Sequence, residues 1–304
     1  MASDESAFAK CKRLGLNFGR CILLNNEMQN KILILIPTFN RITITRQCVE
    51  RLRGGSNAAH DLMICDSGST DGTRDAFSSE KNIIILNVGS KAWWTAAVNR
   101  GVEYALKNEE YDYVLVLNDD IDIPSSLIEQ LIKVSKEHPS KIISPAQKSA
   151  TGVFLGMRYS KLLKNFKVIY ADNVKKPTEV HSTNGCCLLI PIKVFRVVGL
   201  FDEVNCPQLA ADVEFQIRAG RAGFSTIACP NIVIIQHANT NYHRKLKLRT
   251  LLTYEGSPVH WAAYRTHGRT LFNGSLKFAI LGFRYHYRYA KSLLKAAFFC
   301  LRGA

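Results

Sequence analysis

The chain has 304 residues, 47% of them hydrophobic and 21% charged, with a formal net charge of +15. That length suits one large domain or one domain with an appendage, and the apolar fraction is ordinary for a globular core. The nine cysteines include no CxxC pair and several lie inside apolar runs, which excludes a disulfide framework and points to a reducing compartment.

Residues 1–30 read as a weakly ordered or partly helical leader. They lack a long apolar core, and acids come early at Asp4 and Glu5, unlike a secretory signal. From residue 31, β-like apolar runs alternate with helical spacing to about residue 120, which predicts a parallel, doubly wound α/β sheet. Four runs end in polar groups. Lys31 to Ile36 leads into Pro37-Thr38-Phe39-Asn40, and Asp61 to Cys65 into Asp66-Ser67-Gly68-Ser69-Thr70-Asp71-Gly72. Asn82 to Leu86 leads into Asn87, and Tyr113 to Leu117 into Asn118-Asp119-Asp120-Ile121-Asp122. Helices are expected over 42–53, closed by Gly54-Gly55, over 93–107 and over 125–137. The 145–180 stretch loses periodicity and reads as a long loop or short hairpins. Strand patterns return at Cys187 to Pro191 and at Ile232 to Ile235.

Ligands of open α/β sheets bind outside the carboxyl ends of the strands, so these polar ends propose a nucleotide site. Asp66 suits a pyrimidine N–H, and its small neighbours allow close backbone approach; the same residues also suit a helix cap. The adjacent acids at 119–120 repel unless a cation or solvent relieves them, and a divalent ion bridging diphosphate oxygens would do so. Asp212 leads an expected helix, with Glu214 and Arg218 four apart. A carboxylate there is favoured by the helix dipole and suits proton abstraction; the alternative is a cap with a surface ion pair. His237 closes the last strand. Of the adjacent Trp93 and Trp94, one suits the core and the other a pocket wall.

Together these pieces resemble the inverting family 2 glycosyltransferases with the GT-A fold. The resemblance rests on Ile36 to Arg41, Asp66 to Gly72, Trp93 to Gly101, Leu117 to Asp120, Asn184-Gly185, Val198 to Asp202, Asp212 to Gly223 and His237, in the family's order. The double tryptophan and the Ala97-Val98-Asn99-Arg100-Gly101 run are similar to rhamnosyltransferase-like enzymes of bacterial surface polysaccharide synthesis. The resemblance implies a mostly parallel, Rossmann-like central sheet flanked by helices. It implies that Pro37, Thr38, Asn40, Arg41, Asp66, Ser67, Trp94, Asn99, Asn118 and Asp119 contact the nucleotide sugar. Asp120 and His237 would face Mn2+ or Mg2+, and Asp212 would be the general base. The reaction implied is a single inverting displacement from a UDP- or dTDP-sugar to a hydroxyl of a glycan or lipid-linked acceptor. The chain departs from the family pattern at Asn118, where the first acid of the usual Asp-x-Asp stands, and at Ala211, often Glu. No Gln-x-x-Arg-Trp follows, which argues against a processive synthase.

The organisation expected is a leader over 1–30, a GT-A domain over 31–240 and a basic extension over 241–304. Twelve Lys/Arg and one acid, Glu255, fall in 241–304, so +11 of the charge lies there. Lys277, Arg284, Arg288, Lys291, Lys295 and Arg302 would share about 60° of a helix at 3.6 residues per turn. Among apolar and aromatic neighbours, that stripe fits an anionic membrane surface reached through 277–302, peripheral at its cytoplasmic face. The competing readings are a sugar-1-phosphate nucleotidyltransferase, whose Gly-rich loop after the first strand is missing here, and a polyanion-binding protein with a degenerate nucleotide domain. No zinc-finger spacing or RNP-like segment supports nucleic acid as a partner.

Overall fold

The computed structural model describes residues 30–53, 60–80, 82–90, 92–149, 152–160, 165–204, 206 and 211–236. The leader, His237 and the whole basic extension, including 277–302, lie outside the described residues.

The elements run β1 (Ile32–Thr38), α1 (Ile42–Arg53), β2 (His60–Asp66), α2 (Thr73–Ser78), β3 (Ile83–Asn87) and α3 (Trp94–Lys107). Then come β4 (Tyr113–Leu117), β5 (Ile121–Asp122), α4 (Leu127–Glu137), β6 (Ile142–Ser149), β7 (Gly152–Ser160) and β8 (Asn165–Tyr170). A 3-10 turn (Ala171–Asn173) leads to β9 (Thr178–Val180), β10 (Cys187–Pro191), α5 (Ile192–Val198), α6 (Ala211–Arg221) and β11 (Thr226–Gln236).

The strands form one sheet with the order β3-β2-β1-β4-β10-β6-β11-β5. The first four are mutually parallel, as the alternation predicts. Beyond β4 the sheet is mixed. β10 runs antiparallel to both β4 and β6, while β11 is parallel to β6. The aperiodic 145–180 stretch is strands rather than loop: β7 folds back on β6, β8 on β7, and β9 pairs with β11.

Strand parity divides the core. Ile32, Ile34 and Ile36 pack with Cys48, Val49 and Leu52 of α1, Phe77 of α2 and Leu127, Ile128 and Leu131 of α4. Leu33 and Leu35 face the other way, onto Ala97, Val98 and Val102 of α3, Phe195 of α5 and Phe215 of α6. Period-2 alternation thus places helices on both faces, because successive side chains of a strand point to opposite sides. All these side chains are 3% exposed or less, so both faces are sealed. Register then aligns the polar strand ends. Thr38 is paired with Asp66, and Asp66 with Asn87, at one edge of the sheet.

Candidate active site

Two loops at this edge are stitched together. The Asn40 N–H donates to Ser69 Oγ at 2.9 Å, and the Thr70 N–H donates to Asn40 Oδ1 at 2.7 Å. Asn40 holds φ +50°, a left-handed conformation that asparagine tolerates better than most residues. Asp71 links two helix starts: its Oδ1 accepts from Thr73 N–H and its Oδ2 from Ile42 N–H. Burial works against the charge, but the Thr73 hydroxyl and the Ile42 and Thr73 N–H groups hold its carboxyl below the usual range. Gly68 at φ +80° lets this loop approach Ser90, where a Cβ would stand 2.9 Å from backbone.

Asp66 is fully buried, accepts from Ser69 N–H at 3.0 Å and meets Arg74 at 3.4 Å. It therefore shapes its own turn while standing at the strand end. Ser67, 7% exposed, is held by its N–H donating to Thr38 O. Pro37 lies buried within β1.

The three polar residues after β4 take separate directions. Asn118 Oδ1 accepts from Trp94 Nε1 at 3.0 Å, and its N–H donates to Cys186 O. Trp94 is half-buried and meets Phe201 edge-on, with ring centroids 5.8 Å apart. Asp119 is 1% exposed and turns toward α1, where its Oδ2 accepts from Thr45 at 2.9 Å. Burial pushes the Asp119 carboxyl up, against the pull of Arg41 and of the Thr45 hydroxyl. Arg41 bridges both acids, at 2.8 Å from Asp119 Oδ1 and 3.3 Å from Asp120 Oδ2. Asp120 Oδ1 is buried with no hydrogen-bond partner.

Across the site, Asp212 stands in the first turn of α6. Its Oδ2 accepts from the Gly185 N–H at 2.6 Å. Burial pushes its carboxyl above the ordinary range, against the backbone N–H groups of Val213 and Gly185. Burial thus outweighs the stabilisation expected of a helix N-terminus. Both acids act on Cys186, whose thiol is pushed up to about 12 by burial and then by Asp212 and Asp120. Glu214 and Arg218 form the expected ion pair, at 2.8 Å, and Arg218 also donates to the carbonyls of Val198 and Leu200.

The structure therefore brings Thr38, Asn40, Arg41, Asp66, Ser67, Asn118, Asp120 and Asp212 to one edge. Asn99 does a different job. It is 1% exposed, donates to Phe201 O and Glu203 Oε2, and accepts from Phe201 N–H, so it braces the turn before α6. Asp119 is likewise turned inward. Sequence reasoning missed Thr45 as Asp119's partner, Gln216 as a buried hub beside Asp212, and Phe39, which is 51% exposed beside Asn40. A threonine seven residues past the β1 end is a weak signal, and a mid-helix glutamine is none.

Among the described residues no group of three or more His, Cys, Asp or Glu could hold a metal ion. The orphaned buried oxygen of Asp120 nonetheless fits a hard cation whose remaining ligands are phosphate oxygens and water.

The model of glycosyl transferase family 2 matches residues 33–199, more than half of the chain. The succinoglycan biosynthesis protein ExoA of Rhizobium meliloti (strain 1021) is 25% identical over 198 residues, covering 63% of this chain and 58% of that protein. The chain spans between 27% and 58% of the length of several curated relatives it matches. Among solved structures, GalNAc-T7 with UDP, GalNAc and Mn2+ aligns with TM-score 0.58 at 10% identity, covering 69% of this chain and 44% of that one. A mannosyltransferase of Pyrobaculum calidifontis, PcManGT, in complex with GDP-Man and Mn2+, aligns with TM-score 0.53 at 15% identity, covering 90% and 88%. The two structures agree with the α/β fold. The chain belongs to glycosyl transferase family 2.

Proposed function

We propose that this family 2 glycosyltransferase moves a sugar from a UDP- or dTDP-sugar to a hydroxyl of a glycan or lipid-linked acceptor, with inversion, in polysaccharide synthesis. The observation that carries the reading is that the Gly185-Cys186 segment brings Asp212 and Asp120 together: the Gly185 N–H bonds to Asp212, and both carboxylates act on the Cys186 thiol, at the sheet edge where the ends of β1 and β2 pair.

The loops bearing Thr38, Asn40, Arg41, Asp66 and Ser67 hold the nucleoside. Trp94, fixed by Asn118, walls the sugar side. Asp212 takes the acceptor proton as the new glycosidic bond forms, while the bond from the anomeric carbon to the diphosphate breaks and the nucleoside diphosphate leaves. A carboxyl raised by burial is a stronger base than a solvated one, provided the working pH lies above its pKa. Asp120, with His237 as a second candidate, would hold Mn2+ or Mg2+, which when bound neutralises the diphosphate. Arg41, already paired with Asp119 and Asp120, supplies fixed positive charge at the same place. ExoA's name supports polysaccharide synthesis as the setting, and the UDP and GDP-Man bound by the structural neighbours support a nucleotide-sugar donor. The rhamnosyltransferase-like motifs at 93–101 make dTDP-sugars the first to try. The basic stripe over 277–302 would carry the enzyme to an anionic, cytoplasmic membrane face. Among the described residues no helix is long and apolar enough to cross a membrane.

Calorimetric titration with UDP, dTDP and GDP, each with and without Mn2+, tests the donor site. Metal-dependent binding of one of them is expected. Failure of all three to bind would sink the reading.

A further inference from the structure

Behind Asp212, one side chain closes a network that the proposed chemistry does not itself use. Gln216 sits one helical turn after Asp212 in α6 and is fully buried. Its Nε2 donates to Asp212 O and to Thr183 O, each at 3.0 Å. Its Oε1 accepts from the Thr183 N–H at 2.9 Å, the Thr183 hydroxyl at 3.1 Å and the Thr226 hydroxyl at 3.1 Å. Both donors of the amide and the lone pairs of its oxygen are engaged. The amide thus binds three segments: the first turn of α6, the loop before β10, and β11.

Two residues beyond Thr183 is Gly185, whose N–H points at Asp212 Oδ2. The approach is tight, since a Cβ on Gly185 would stand 2.6 Å from Asp212 Cβ. Asp212 and the loop it touches are therefore held in register from below, by a side chain that reaches neither substrate nor solvent.

We propose that Gln216 is a positioning residue: by clamping Thr183 to the first turn of α6, it holds the Gly185 N–H on Asp212 Oδ2 and so sets where the other carboxylate oxygen faces. The proposal rests on Asp212 being the base of the reading above. A buried amide with every hydrogen bond made is well suited to this, because any tilt of the helix against the loop leaves a polar group unpaired, at a cost of about 1–3 kcal/mol per group. An apolar side chain of the same volume would pack as well but would not fix the direction.

Carbon-13 titration of aspartate carboxyls in the full chain reads the clamp without needing turnover, with the Asp212 signal assigned by its loss in Asp212→Asn. Cys186 is the titratable neighbour facing that carboxyl, and its thiol stays protonated through the carboxyl range. In Gln216→Met the Gly185 bond to the charged form loosens, and the Asp212 midpoint moves up by about one pH unit. Thr226→Val removes only the hydroxyl from β11 and leaves the midpoint in place. Should Gln216→Met not fold, Thr183→Val, which takes away one arm of the clamp, shows a smaller move in the same direction. A midpoint unchanged in the clamp variants, or moved equally by Thr226→Val, overturns the proposal. Retention of turnover by Asp212→Asn would instead remove the base assignment while leaving the titration result intact.

Discussion

Gly185→Ala is the sharpest perturbation of the candidate site. The added methyl would stand 2.6 Å from Asp212 Cβ, 2.9 Å from its Oδ2 and 3.1 Å from its Cγ. Ordinary carbon contacts begin near 3.5 Å, so loop and helix must part by about 1 Å. The first of these atoms is a Cβ fixed to α6, which cannot swing aside as a side-chain end would. Parting them stretches the 2.6 Å Gly185 N–H bond to Asp212 beyond hydrogen-bond range. Overpacking of this kind costs about 1–3 kcal/mol of stability. A catalytic group misplaced by about 1 Å costs on the order of 100-fold in kcat. Gly185 stands in the loop before β10, outside the loops at 38–41 and 66–72 proposed to hold the nucleoside, so donor affinity should stay. The assay is release of nucleoside diphosphate from the donor identified by calorimetry, with urea unfolding alongside. Gly101→Ala is the matched control. Its Cβ also meets an atom at 2.6 Å, but that atom is the flexible end of Leu35. It should cost stability and leave kcat alone. A Gly185→Ala enzyme with undiminished kcat would refute the reasoning.

Asp212→Asn should keep donor binding and lose nearly all transfer, and unchanged turnover in the same assay would end the base assignment. The same variant should be more stable than the parent at neutral pH. The native pKa of Asp212 lies above the unfolded one, so the native state loses stability as pH rises through it. The difference in thermal midpoint should vanish below about pH 3.9, the ordinary aspartate value. Transfer should decline as pH falls through the raised Asp212 pKa, giving an acidic limb above the range of a solvated carboxylate. Thr45→Val removes the hydroxyl that meets buried Asp119 at 2.9 Å, and a lost hydrogen bond to a charged group should cost about 1.5–3 kcal/mol by urea unfolding. Deleting the chain after Asn241 should release the protein from anionic liposomes; sedimentation equal to full length would sink the membrane reading.

Much of the fold was legible because the parallel half of the sheet writes itself in hydrophobic runs. Strands buried on both faces read as unbroken apolar stretches, and the helix over 42–53 was found to the residue. The antiparallel part was legible only in pieces: β10 read as a strand over Cys187–Pro191, and 145–180 as a loop or short hairpins. β6 to β8 mix polar residues and glycines with apolar ones, and β11 breaks register between Cys229 and Val233, so only its second half looked like a strand. The α5 helix was missed because Pro191 opens seven residues too short to show a period.

The site was legible as an edge before it was legible as directions. Asn118, Asp119 and Asp120 read as one acidic cluster, yet strand parity separates the first two. Leu115 and Leu117 face α1, and Asp119 continues that row to meet Thr45 of the same helix. Val114 and Val116 face α3, and Asn118 continues that row to meet Trp94. A buried carboxylate on the α1 side needs a hydroxyl and a cation, and Thr45 and Arg41 supply them. Asp119 Oδ1 also lacks a hydrogen bond but meets the Arg41 guanidinium at 2.8 Å, whereas Asp120 Oδ1, past the end of the ladder, is buried with neither a hydrogen bond nor an ion pair of its own. The division of labour between the two acids thus follows from alternation carried two residues beyond the strand, and it makes Asp120 rather than Asp119 the carboxylate to mutate when metal affinity is measured.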